Sequence, residues 1–83
     1  MIKTTLLIEG MKCPMCEAHI NDVIRRNFDI KKVSSSHSKG KTVMISEYYP
    51  DFALLKKYIE RSGYTLVSIK SETYEKKIRT LFK

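Results

Sequence analysis

Lys3-Thr4-Thr5-Leu6-Leu7-Ile8-Glu9-Gly10-Met11-Lys12-Cys13-Pro14-Met15-Cys16 is the stretch on which the fold turns. Lys3 to Glu9 place Leu6 and Ile8 on one face among β-branched neighbours, the pattern of a strand, and Gly10 breaks it. Met11, Lys12 and Cys13 form a loop. From Pro14 to about Asn27 the apolar residues Cys16, Ile20, Val23, Ile24 and the flanking Phe28 recur at helical spacing, with Pro14 tolerated in the first turn. The chain therefore reads as strand, loop and helix, with the helix starting at a pair of cysteines.

Working outward, Ile30 to Ser36 and Lys41 to Glu47 read as two strands joined through the flexible turn Ser38-Lys39-Gly40. The run Ser34-Ser35-Ser36 weakens the first of them. Asp51 is a good N-cap for a second helix with the apolar stripe Phe52, Leu55, Tyr58 and Ile59, ended by Gly63. Tyr64 to Lys70 alternates Leu66, Ser68 and Lys70 against Val67 and Ile69, as a final strand does. The order β-α-β-β-α-β predicts an α+β, ferredoxin-like sandwich: an antiparallel four-stranded sheet with two helices on one face. Beyond it, Ser71 is placed to cap a short C-terminal helix with Tyr74, Ile78, Leu81 and Phe82 on one face. Residues 1–70 are thus expected to form the domain and 71–83 a helical extension.

Composition narrows the function. A chain of 83 residues, 42% of them hydrophobic, supports one small core and leaves little room for an enclosed substrate cavity, which argues against an enzyme. Sixteen Lys and Arg against nine Asp and Glu give a net charge of +7, which favours acidic partners. RNA recognition by such a sheet needs aromatic residues on central strands and a Lys/Arg-Gly-Phe/Tyr segment; neither is present, so no nucleic-acid partner is expected. No apolar run is long enough to span a membrane, and residues 1–9 lack the core of a signal peptide, so a cytoplasmic protein is expected. A disulfide between Cys13 and Cys16 would close a tiny loop and hold little together. In a reducing compartment the pair points instead to metal or redox chemistry.

A thiol at a helix N-terminus lies beside unpaired N–H groups and the positive dipole end, which favour thiolate, the form that binds metal. A closed zinc site wants four ligands, and no second Cys pair or Cys-x-x-His set supplies them. Cu(I) is soft and is satisfied by few ligands, so an open two-thiolate site suits its transfer. Gly10-Met11-Lys12-Cys13-Pro14-Met15-Cys16 resembles the G-M-x-C-x-x-C signature of heavy-metal-associated domains, found in bacterial copper chaperones and at the N-termini of metal-transporting P-type ATPases. Gly63-Tyr64 falls where those chaperones carry a Gly-Tyr pair. The resemblance runs from about Lys3 to Lys70 and implies the ferredoxin-like fold, Cu(I) bound by Cys13 and Cys16, and delivery to a related domain on a transporting P-type ATPase. It departs at the polar segment Ser34 to His37, at Pro14 and in the tail after Ser71. Mercury, zinc and cadmium suit the same two sulfurs, and two copies sharing metal through their cysteine pairs would make a homodimer. The competing reading is a glutaredoxin-like thiol-disulfide oxidoreductase, which Cys-Pro-x-Cys also resembles; the Thr-Val-Pro and Gly-Gly signatures of that family are absent.

Five further residues are candidates. Met11 reads as an apolar plug beneath the loop, with a third sulfur ligand as the other reading. His19, three residues after Cys16, reads as a partly exposed helix histidine, or else as a ligand or a partner of a thiolate. Tyr64, on the resemblance, comes close to the loop, where it packs, bonds a thiolate, or does both. Lys12 flanks Cys13 and offsets the charge of a bis-thiolate site, and His37 reads as structural. Lys12, Arg25, Arg26, Lys56 and Lys57 are candidate contacts for an acidic-faced partner.

Overall fold

The computed structural model describes residues 1–73. Its elements are β1 (Ile2–Glu9), α1 (Pro14–Asn27), β2 (Lys32–Ser36), β3 (Lys41–Ser46), α2 (Phe52–Arg61) and β4 (Thr65–Thr73). The strands form one sheet in the order β2-β3-β1-β4, and every neighbouring pair is antiparallel. This is the expected ferredoxin-like βαββαβ arrangement. Alternation along β1 sends Ile2, Thr4, Leu6 and Ile8 to the helix-covered face, where Leu6 and Ile8 meet Ile20 and Ile24 of α1, Leu55 and Ile59 of α2, Met44 and Leu66. Asp51 caps α2 as predicted, its Oδ1 accepting from the N–H groups of Ala53 and Leu54 at 3.0 and 3.3 Å.

The final strand departs from the expectation twice. Leu66 pairs with Ile8 and Ile69 with Leu6, although three positions separate them and strict alternation would send them to opposite faces. A register shift opposite Leu7 and Ile8 absorbs one extra residue, so both reach the covered face while Val67 is left 54% exposed. The strand also runs past Lys70: Ser71 pairs with Thr4, Glu72 with Lys3 and Thr73 with Ile2. Ser71 is therefore a strand residue and not a helix cap, and its hydroxyl is spent on Thr4 Oγ1 at 2.8 Å. The rest of the expected C-terminal helix lies outside the described residues.

The polar strand β2 packs Val33 against the core and is held further by side-chain hydrogen bonds. Ser35 Oγ donates to Asn21 Oδ1 of α1 at 2.6 Å and lies 2.8 Å from the buried Thr42 Oγ1 of β3. A second polar tie lies at the hairpin, where the Glu17 carboxylate of α1 accepts hydrogen bonds from His37. The serine run that weakens β2 as a sequence thus becomes its attachment to the helix.

Candidate metal centre

Gly10 ends β1 with φ near +100°, a conformation that favours glycine, and turns the chain toward α1 across the face of Tyr64. Met11 then drops into the core, 5% exposed and part of the same apolar cluster as Leu6 and Ile20. It anchors the loop from below. Cys13 occupies the N-cap position of α1 in an extended conformation, and its side chain makes no capping hydrogen bond. Pro14 at the first helical position costs nothing, because the N–H it lacks would be unpaired there. The Cys13 carbonyl instead receives the N–H groups of Cys16 and Glu17 at 3.0 and 3.4 Å, closing the first turn and bringing the second sulfur back beside the first.

The two Sγ atoms lie 3.6 Å apart, with Cys13 exposed, Cys16 partly covered and both free thiols. The Cys16 thiol is lowered to about 7, chiefly by the main-chain N–H of Lys12, then by the hydroxyl of Tyr64 and the Cys13 thiol. Lys12 thus acts on the sulfur through its backbone, while its residue is exposed. Burial, followed by the bond to Cys16, pushes Tyr64 up to about 12, so its hydroxyl keeps the proton it donates. Tyr64 is seated by its own N–H, which bonds the Ile59 carbonyl at 3.3 Å at the end of α2. His19 reaches the same hydroxyl, Nδ1 to Oη 3.2 Å, with the rings edge to face at 5.8 Å. The structure therefore brings Cys13, Cys16, Tyr64 and His19 together, with His19 acting on Tyr64.

Among the described residues no group of three His, Cys, Asp or Glu side chains is arranged to hold an ion, so the two thiols stand without a third converging group and open to solvent at Cys13. Sequence reasoning passed over Glu17. Its Oε2 accepts from the His37 main-chain N–H at 2.7 Å and from His37 Nδ1 at 2.6 Å. A carboxylate only accepts, so Nδ1 carries the proton. These two bonds hold the Glu17 carboxyl below the usual range. A separation of 20 positions hides the pair from any local pattern, although Glu17 in the first helical turn is itself a favourable placement.

No protein-family model matches the sequence, and no curated protein matches it. Solved structures do. The N-terminal domain of ZntA in its Zn(II) form is similar over 90% of this chain and 97% of its own, at 17% identity and a TM-score of 0.71. The CopZ metallochaperone is similar over 78% and 98%, at 20% identity and a TM-score of 0.69. Oxidized MerP from Ralstonia metallidurans CH34 is similar over 84% and 99%, at 22% identity and a TM-score of 0.69. Identities this low speak for the fold alone, the ferredoxin-like fold that the order of elements led us to expect.

Proposed function

We propose that the protein is a carrier of a soft metal ion, Cu(I), held between the thiolates of Cys13 and Cys16 and passed on by thiolate exchange. The observation that carries this reading is a pair of free sulfurs 3.6 Å apart at the exposed start of a helix, one of them held toward thiolate near neutral pH. Two soft ligands with no third converging group suit an ion that accepts low coordination. An incoming thiolate adds at the exposed Cys13 side, one metal–sulfur bond forming before another breaks, so the ion is never free. Met11, deep in the core, supports the loop and stays out of the ligand set. Tyr64 and His19 shape the second layer, Tyr64 by its bond to Cys16 and His19 through Tyr64.

The recipient in this reading is an acidic-faced metal-binding domain such as that of a copper-transporting P-type ATPase, met in the cytoplasm by the unit that β4 closes at Thr73. The net charge of +7 supports an acidic partner. Similar folds in the CopZ metallochaperone and in a copper binding domain from HMA7, a P-type ATPase, support the pairing of carrier with transporter. No helix of the described residues is long and apolar enough to cross a membrane. The deciding experiment is a competition titration of the reduced protein with Cu(I) and Zn(II), repeated on Cys13→Ser and Cys16→Ser. Tight Cu(I) binding at one ion per chain, lost in both variants, is expected; retention of tight binding in both overturns the proposal.

A further inference from the structure

Two polar ties join α1 to the β2–β3 hairpin, and they differ in one respect that matters to the cysteines. Asn21 and Ser35 meet at 2.6 Å in the second turn of the helix, remote from the loop. Glu17 and His37 meet in the first turn, on the residue that follows Cys16. That turn is also thinly held by its own bonds. It begins with a proline, its N-cap side chain bonds nothing, and the Glu17 N–H reaches the Cys13 carbonyl only at 3.4 Å.

Resting on the metal-site reading above, we infer that Glu17, clamped by His37, is the positioning residue of the cysteine pair. One carboxylate oxygen accepting both the main-chain and ring N–H of His37 fixes the first turn of α1 against the hairpin, and Cys16 moves with that turn. The pair is only partly exposed, 27% for the Glu17 side chain and 35% for His37, so water competes less for these bonds than at an open surface. Glu17 touches neither sulfur. It acts by holding the backbone from which the Cys16 sulfur projects toward the donors of Lys12 and Tyr64.

The test uses the full chain as Glu17→Ala, His37→Ala, the double variant and Asn21→Ala, with two readouts. Metal-free protein is followed by amide hydrogen exchange at Cys16 and Glu17, and copper-loaded protein by the rate of Cu(I) release to a chelator. Glu17→Ala and His37→Ala should each speed both processes roughly threefold or more, a milder loss than the roughly tenfold or greater cost of removing a group bonded directly to a ligand. The double variant should match the stronger single one, because both act through one contact. Asn21→Ala should lower the melting temperature by a comparable amount and leave both rates unchanged. Equal acceleration by Asn21→Ala, or unchanged exchange at Cys16 in Glu17→Ala, overturns the inference. If wild-type protein fails to bind copper, the carrier proposal falls while hydrogen exchange still decides the clamp.

Discussion

At Cys16 four donors converge on one sulfur, the main-chain N–H groups of Lys12 and Cys13, the Tyr64 hydroxyl and the Cys13 thiol, and their combined effect has a direction in pH. The folded thiol sits at about 7, below the value of about 8.5 expected for an unfolded cysteine. Between those values the unfolded chain holds more protons, so the stability of the metal-free protein should rise with pH through this window and fall as pH drops through about 7. Urea midpoints on either side of the window check the sign, and Cys16→Ser should flatten the rise. Tyr64→Phe removes one donor and should raise the Cys16 thiol, read as a shift of the pH-dependence of its alkylation; an unshifted profile would show that the hydroxyl contributes nothing. Geometry gives another expectation. With metal–sulfur bonds of about 2.3 Å, sulfurs 3.6 Å apart subtend about 100° at an ion, whereas a linear two-ligand arrangement needs about 4.6 Å. Loading with Cu(I) should therefore spread the sulfurs by about 1 Å, visible in a structure of the loaded protein, while Zn(II) should leave them near their present spacing. The cysteines and the plug Met11 were legible because their spacing to a glycine and a helix start is local. His19 was legible only as a neighbour, since its target, Tyr64, lies 45 positions away.

Elements were legible wherever periodicity and burial agree. β1 and α1 follow their apolar patterns because both face one core, and α2 begins where Asp51 can cap it. β4 defeats the pattern because a bulge changes which residues face inward, and nothing in Leu66-Val67-Ser68-Ile69 announces the extra residue. Its extension through Ser71 to Thr73 depends on β1 offering unpaired backbone as far as Ile2, a tertiary fact. β2 was doubtful for the opposite reason: serines look like loop until Asn21 and Thr42 are placed beside them. The β2–β3 turn rests on Gly40, whose φ is +63° and whose carbonyl accepts the Ile8 N–H at 2.8 Å. A Cβ there would stand 3.1 Å from the Ile8 carbonyl oxygen. Gly40→Ala should therefore cost about 1–2 kcal/mol for the left-handed backbone, with some addition from that contact, measured as a lower urea midpoint at unchanged slope. A midpoint equal to wild type would mean the turn relaxes freely and does not fix the hairpin that carries His37.

On the scale of the whole molecule, the apolar interior is spent on holding four strands and two helices together, which leaves the surface to do the recognising. Twelve of the sixteen Lys and Arg and eight of the nine Asp and Glu fall within residues 1–73, and part of that charge is already offset: Arg26 lies 3.0 Å from Asp22 and Lys31 3.5 Å from Glu47. Of the expected docking cations, Lys12 is the one adjoining the exposed Cys13, so in the carrier reading it is the one placed to meet an incoming partner. Exposed pairs such as Arg26 with Asp22 contribute little to stability, and pairing removes most of what Arg26 would add to the long-range field. If the carrier reading holds, the rate of Cu(I) transfer to an acidic-faced metal-binding domain should fall by roughly tenfold or more between about 0.05 and 0.5 M salt, as screening shortens the reach of the field. Intrinsic Cu(I) affinity, set by two sulfurs and their bonded neighbours, should stay nearly constant over the same range. Lys12→Glu should slow transfer at low salt and converge on wild type at high salt, whereas Cys13→Ser should abolish transfer at every salt concentration. Stopped-flow transfer measured beside equilibrium competition separates the two quantities. A transfer rate indifferent to salt and to Lys12→Glu would assign the basic surface to solubility and leave the cysteine loop as the whole of the recognition.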